Sequence, residues 1–179
     1  MSYTAPKGSV TVRRARTGDV RAVRRLVDPY VGEGILLDKA TVTLYESIQE
    51  FWVAERDEDG TVVGCGALHV MWEDLAEVRT LAVDPAFTGQ GIGHLLLDKL
   101  LGTARRLGVR RVFCLTFEVD FFVKHGFQEI GETSADTDVI GTDVYAELLR
   151  SYDEGVAEFL GLERVKPNTL GNSRMLLHL

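Results

Sequence analysis

The sequence predicts a single α/β domain, and three observations carry that reading. Its 179 residues fit one domain of the ordinary size of about 100–200 residues, long enough to bury a sizeable core. Apolar residues make up 45% and charged residues 26%, the range of globular proteins rather than of disordered, collagen-like or coiled-coil chains. Strand-like and helix-like patterns alternate along the chain without internal repeat or low-complexity tract, so residues 1–179 read as one unit.

Val10-Thr11-Val12-Arg13-Arg14 alternates as a short strand. Thr17 and Asp19 offer N-terminal caps to a helix whose apolar positions, Val20, Val23, Leu26 and Val27, recur three and four apart. Gly32-Glu33-Gly34 breaks it, and a second helix follows Asp38 through Val42, Tyr45 and Ile48. Phe51–Glu55 and Thr61–Leu68 form a hairpin around the polar turn Asp57-Glu58-Asp59-Gly60. After Trp72-Glu73-Asp74, the strand Ala76–Val83 runs to Asp84-Pro85. A glycine-rich loop, Phe87-Thr88-Gly89-Gln90-Gly91-Ile92-Gly93, leads into a helix from His94 through Leu96, Leu97, Leu100, Leu101 and Ala104 to Gly108. Arg111–Thr116 reads as a buried strand, Phe121–His125 as a short helix ending at Gly126-Phe127, and 132–143 as a polar connection. Val144–Leu160 reads as a helix interrupted or bent near Gly155, and Ser173–Leu179 as a closing strand. Trp52, Trp72, Phe113 and the leucine stripe of the long helix read as core.

The formal charge is −7, from 27 acidic and 20 basic residues, which excludes nucleic-acid binding driven by general electrostatics. A local cluster of positive groups can still capture a small anion. The longest apolar runs fall far short of the ~20 residues that span a bilayer, and the N-terminus lacks the apolar stretch of a signal peptide, so no membrane role is expected. Cys65 and Cys114 both lie in apolar runs and read as buried free thiols of a reducing cytoplasm. Two thiols and four scattered histidines predict no metal site; His69, His125 and His178 read as ordinary residues. An exposed β-edge or the Val144–Leu160 helix is the surface a homodimer would use.

The chemistry concentrates where strand, Asp84-Pro85, glycine loop and long helix join. Three glycines at alternate positions allow a tight turn with its amide hydrogens on one side, and the helix start adds the positive end of its dipole. Such a site suits a pyrophosphate, although a plain tight turn uses glycines equally well. The dinucleotide fingerprint wants its glycines after the first strand, whereas this loop sits at mid-chain. The nucleoside triphosphate loop ends in Gly-Lys-Ser/Thr, whereas His94-Leu95 follow Gly93 here.

Leu81-Ala82-Val83-Asp84-Pro85, Gly89-Gln90-Gly91-Ile92-Gly93, Leu95-Leu96-Leu97, Phe121-Phe122 and Gly126-Phe127, in that order, resemble the acetyl-CoA core of GNAT acetyltransferases over roughly residues 10 to 131. The resemblance implies a mixed, mostly antiparallel sheet with splayed central strands and flanking helices, and acetyl-CoA as cosubstrate. It implies that the backbone of Leu81, Ala82 and Val83 pairs with pantetheine like an added strand. Thr88, Gly89, Gln90, Gly91, Ile92, Gly93 and His94 would then hold the pyrophosphate, with Thr116, Phe121 and Phe122 completing the cofactor site. Two positions depart from the pattern. Thr88 stands where Arg or Gln is usual, and Phe122 replaces the tyrosine that often protonates the departing thiolate.

Acetyl transfer needs a neutral amine, so a base is expected. Glu77 lies four residues before Leu81, and alternation places the two on one face. The family commonly uses a glutamate there, which makes Glu77 the candidate base; a salt bridge with Arg79 is the structural alternative. An amide near Leu81 or Ala82 would hold the oxyanion. Neither cysteine has a neighbour that would activate it for a covalent acetyl-enzyme. Two further segments, Gly34-Ile35-Leu36-Leu37-Asp38-Lys39 and Val165–Asn168 through Leu170–Leu177, resemble short amino-acid N-acetyltransferases of the N-acetylglutamate synthase type. That likeness implies glutamate as acceptor, with glutamine the alternative, and a place in arginine biosynthesis. Two carboxylates need cationic or amide partners, for which Lys39, Arg79, Asn172, Ser173 and Arg174 are the candidates and Lys166 a weaker one. An acetyltransferase for a protein lysine, a small polyamine or another amino acid or amine, and a non-catalytic acyl-CoA sensor, are the competing functions.

Overall fold

The computed structural model describes residues 8–36, 38–130, 142–160 and 172–179. Lys166, and most of the polar connection after residue 131, lie outside the described residues. The strands are β1 (Val10–Arg14), β2 (Phe51–Arg56), β3 (Val62–Trp72), β4 (Leu75–Val83), β5 (Arg111–Thr116), β6 (Gln128–Glu129) and β7 (Ser173–His178). The helices are α1 (Val20–Gly32), α2 (Thr41–Glu46), α3 (Ile92–Leu107), α4 (Val119–Val123), α5 (Thr142–Leu148) and α6 (Glu154–Phe159).

The strands form one 7-stranded sheet in the order β1-β2-β3-β4-β5-β7-β6. Every pairing is antiparallel except β4 with β5. That parallel pairing covers Leu75↔Arg111, Ala76↔Val112 and Glu77↔Phe113 and stops there, while β5 continues to Thr116 against β7. From Val78 onward β4 therefore has no β5 partner, and the sheet opens at its centre.

α3 covers one face. Its stripe Leu97, Leu100, Leu101 and Ala104 packs on Leu68, Ala76, Val78 and Val112, and Ile92 and Leu96 pack on Ala54 and Val63. Fully burying each of these side chains contributes on the order of 1.5–3 kcal/mol. On the other face, Val20, Val23, Leu26 and Leu44 of α1 and α2 meet Phe51, Val53, Cys65 and Ala67. Beside them, Leu148, Val156, Phe159 and Leu160 meet Leu75, Phe113 and Leu176. No helix among the described residues is long and apolar enough to cross a membrane.

Several local expectations change. Thr17–Asp19 is a 3₁₀ turn, and Asp19, at the N-cap position of α1, makes no side-chain cap hydrogen bond to that helix. Its carboxylate accepts instead from Arg13 Nη1 at 2.8 Å and from the Arg16 amide at 2.7 Å. α2 begins at Thr41 rather than after Asp38. The helix expected over Val144–Leu160 is interrupted at 149–153, just before Gly155, because Asp153 turns extended and caps α6 by accepting from the Val156 amide. The apolar face of those helices is spent on the chain's own core, which withdraws much of it as a dimer surface.

Candidate functional site

A cleft of about 650 Å³ lies where β4 and β5 part, lined by Val78–Val83, the glycine loop, Leu115, Thr116 and Phe121. Gly89 and Gly91 have φ of +75° and +80°, left-handed values that an L side chain resists. A Cβ built at either would meet nothing within 4 Å, so there is open space beside both glycines. Gly93 is close-packed, since a Cβ there would lie 3.3 Å from the Phe121 ring. Gly91 is the N-cap of α3, whose 16 residues place a helix N-terminus on the same spot. This combination makes an anion site. Thr88 turns its hydroxyl back to donate to Pro85 O at 3.0 Å, and Gln90 is exposed and absent from the cleft lining. Phe122 lines the cleft from the core side, 5% exposed, and Thr116 Oγ1 accepts from the Glu118 amide at 2.8 Å.

Alternation along β4 fails at one residue. The register with β3 runs Cys65↔Ala82 and then Ala67↔Arg79, leaving Thr80 in a bulge with φ of +56°. A left-handed non-glycine costs about 1–2 kcal/mol. The bulge reverses which face each later residue takes. Glu77 and Arg79 face α6, while Leu81 and Val83 pack toward α3 and Ala82 toward α1. Glu77 and Leu81 are therefore on opposite faces, contrary to the expectation from spacing alone, because an extra residue shifts the period-2 pattern by one. The bulge also turns the Thr80–Ala82 backbone into the opened cleft.

Across the bulge lies a second cavity of about 370 Å³, whose lining includes Lys39, Glu77, Arg79, Asp153, Glu158 and Asn172. Ile35, Leu36, Val78, Arg79, Thr80 and Leu115 line both cavities, so the two meet where the strands separate. Arg79 donates from Nε to Glu77 Oε2 at 2.9 Å, with Nη2 on the same oxygen, and grips Asp153 bidentately at 2.9 and 2.7 Å. Arg79 and Glu77 are nearly buried, which makes each dependent on the other for its charge. His69 extends the network, with Nδ1 2.8 Å from Glu50 Oε1 and Nε2 3.6 Å from Asp153 Oδ2. Burial would raise the Asp153 pKa, but the hydrogen bonds and charge of Arg79 overrule it and hold the carboxyl well below the usual carboxylate range. Burial and then the Arg79 charge push the Lys39 ammonium below the ordinary lysine range.

The Asp153 direction fixes a sign. A carboxylate whose folded pKa is depressed stabilises the fold fully above its unfolded pKa of about 4 and loses that contribution as pH falls below it. The Tm gap between the wild type and Asp153→Asn should therefore be widest near pH 6–7 and narrow progressively below about pH 4. A gap independent of pH would show that the Arg79–Asp153 pair adds nothing to stability.

Of the expected acceptor residues, Lys39, Arg79 and Asn172 line this cavity. Among the described residues the Asn172 Oδ1 is buried without a hydrogen-bond partner. Arg174 lies elsewhere: it donates from Nε to Glu158 O at 3.2 Å and from Nη2 to Phe159 O, bracing the C-terminal carbonyls of α6. Ser173 pairs in register with Thr116 and lines neither cavity. Burial pushes the Cys65 thiol up to about 12 and raises that of Cys114, so neither presents a thiolate. Among the described residues no group of three or more His, Cys, Asp or Glu is placed to hold a metal ion.

Two residues at the site escaped sequence reasoning. Tyr30 donates its hydroxyl to Val83 O at 2.6 Å and lines the cleft; in sequence it only continues the α1 stripe of Val23, Leu26 and Val27. Gly155 packs against the ion pair so closely that a Cβ would lie 2.8 Å from Glu77 Cδ. Gly155→Ala should displace Glu77 and Arg79 and lower kcat/KM by about 10²-fold, since small misplacements near a reacting centre are that costly. Steady-state kinetics with a parallel Tm would show it, and an unimpaired variant would mean that the pair tolerates displacement.

A family model described as "Acetyltransferase (GNAT) family" matches residues 24–127. The "Amino-acid acetyltransferase" of Mycobacterium tuberculosis is 62% identical over 167 residues, covering 93% of this chain and 92% of the relative. A crystal structure of a Mycobacterium tuberculosis protein in complex with CoA and NLQ superposes with a TM-score of 0.87 at 61% identity, covering 94% of this chain and 99% of that one. N-acetylglutamate synthase from Neisseria gonorrhoeae, solved with coenzyme A and N-acetyl-glutamate, gives a TM-score of 0.72 at 26% identity, over 98% of this chain but 36% of that longer one.

Proposed function

Because the chain belongs to the GNAT acetyltransferase family, we propose that it transfers acetyl from acetyl-CoA to the α-amino group of L-glutamate. On this reading the product, N-acetyl-L-glutamate, feeds arginine synthesis in the cytoplasm. The observation that carries the proposal is the meeting of two cavities at the splay, one beside phosphate-binding amides and the other walled by Glu77, Arg79 and Lys39.

The amides of Gly89, Gly91, Gly93 and His94 hold the pyrophosphate, and the open edge of β4 from Leu81 to Val83 pairs with pantetheine. Tyr30, fixed on Val83 O, keeps that edge from drifting. Among the described residues, the recorded partner of the Glu77 carboxylate is Arg79, on Oε2. Glu77 accepts the acceptor's ammonium proton, directly or through a water, and the Leu81 or Ala82 amide stabilises the oxyanion. The departing thiolate needs no protein acid of its own, because thiols ionise near pH 8.5 and leave readily. Lys39 and the Asn172 amide receive the acceptor's carboxylates.

Glutamine is the second reading, and the charge of the acceptor cavity favours it. Asp38, Glu77, Asp153, Glu154 and Glu158 line the cavity against Lys39 and Arg79 among the described residues, and Arg79 is already engaged by two carboxylates. A neutral side-chain amide meets less repulsion there than a second carboxylate. A thiol-release assay with acetyl-CoA, the twenty amino acids and a lysine peptide decides among the readings. Turnover confined to glutamate or glutamine supports an amino-acid acetyltransferase, and their kcat/KM ratio ranks the two. Turnover with the peptide alone, or saturable binding without release, would overturn it.

A further inference from the structure

Three side chains beside the cofactor cleft lie in a row. His94, in the first turn of α3, lines the cleft, and its Nδ1 lies 2.7 Å from His125 Nε2. The two rings stack with centroids 4.9 Å apart at 27°, and Phe121 packs on both, at 4.7 and 5.4 Å. His125 Nδ1 lies 3.7 Å from Asp98 Oδ1, four residues after His94 on α3. Among the described residues the charged groups acting on His125 are Asp98 and His94, and Phe121 is neutral.

One nitrogen of the close His–His contact must donate and the other accept. A carboxylate only accepts, so Asp98 favours the His125 tautomer with hydrogen on Nδ1. His125 Nε2 is then the acceptor, His94 Nδ1–H the donor, and His94 Nε2 the nitrogen left for a ligand. A proton added at His94 Nε2 keeps the His–His bond as it stands, whereas one added at His125 Nε2 keeps it only if His94 moves its hydrogen to Nε2. Burial acts the same way: His125 is 14% exposed at its side chain, and desolvation, opposed by Asp98 and reinforced by His94, lowers its pKa. His94 is exposed.

We propose that Asp98 and His125 are positioning residues that hold His94 in its Nδ1–H form, so that His94 Nε2 takes up a proton and donates it in a hydrogen bond to a phosphate oxygen of the bound coenzyme A. This rests on the acetyl-CoA reading. The proton comes from solvent, and no bond to phosphorus changes. A phosphate bound at the start of α3 supplies the anionic acceptor for that proton. Proton uptake is therefore coupled to cofactor binding.

Isothermal titration of coenzyme A near pH 7, in buffers of different ionisation enthalpy, counts the protons taken up on binding. The wild type should take up a larger fraction of a proton than His94→Gln or His125→Leu, while His125→Gln, whose amide oxygen can accept from His94 Nδ1–H, should recover most of it. Between pH 8 and 6 the wild-type affinity should gain about five-fold over that of His94→Gln, an effect the size of one partly exposed charge pair. The ligand's own phosphate titration is common to all variants and cancels. Nitrogen-15 shifts of the wild-type histidines should show hydrogen on His94 Nδ1, which holds even if a variant fails to fold. Equal proton uptake in all variants, or hydrogen on His94 Nε2 in the free neutral protein, overturns the inference while leaving the acetyl-CoA reading intact. A wild type that binds no coenzyme A sinks both.

Discussion

Glu77→Gln should lower kcat by two to four orders of magnitude, the usual contribution of a positioned general base, with coenzyme A affinity changed less than about two-fold. The amide keeps the shape of the carboxylate and an oxygen for the Arg79 guanidinium, and Asp153 still grips that guanidinium at 2.9 and 2.7 Å. What the amide cannot do is accept a proton. Arg79 does lose one charge partner, so some destabilisation is expected as well, on the order of 1–3 kcal/mol. The competing role for Glu77 is purely structural, as the buried counter-ion of Arg79. In that case Tm and KM move while kcat stays, and a two-parameter measurement separates the roles. Raising the pH of the assay provides a further check. A free amine population grows with pH, so the variant's deficit should shrink at high pH if proton removal is what was lost.

Gly91→Val should weaken coenzyme A binding by at least about 10²-fold. Gly91 caps α3 with φ of +80° and ψ of +4°, a conformation that a β-branched residue occupies only under strain. The valine must either hold that strain with its methyl groups beside the loop amides or let the turn relax and re-aim those amides. Both outcomes dismantle the anion site. Gly108 supplies a control, for it closes the other end of α3 at φ of +86°, with the Val109 amide donating to Ala104 O at 3.0 Å. Gly108→Val carries the same backbone strain far from the cleft and should lower Tm without affecting affinity for the cofactor. Equal losses of affinity in both variants would reduce the loop to a structural turn.

The parts of the molecule legible in the sequence are those fixed by local rules. Leu96, Leu97, Leu100, Leu101 and Ala104 announce α3 by spacing and Gly108 marks its end, whereas its start lies at Ile92, capped by Gly91, rather than at His94. The open space beside the loop follows from Gly89 and Gly91. What escaped depends on tertiary context. The Thr80 bulge leaves no mark in the pattern of β4, since threonine is an ordinary strand residue, yet it moves Leu81 to the face opposite Glu77. Gly155 looks like a helix breaker, and its actual demand, room for the Glu77–Arg79 pair, comes from a strand far away in the chain. Charge alone groups Arg174 with the acceptor, whereas the fold sends it to the carbonyls that end α6. Tyr30 is indistinguishable from a core residue until α1 docks and its hydroxyl meets Val83 O. Long-range packing assigns these roles, and no short window of sequence carries it.

Titrating the isotope-labelled protein with coenzyme A and following each backbone amide tests the central claim most directly. The account predicts the largest shifts at Gly89, Gly91, Gly93 and His94, with a second set along Leu81–Val83 on the unpaired edge of β4. Shifts confined to other surfaces, or none at saturating ligand, would contradict it.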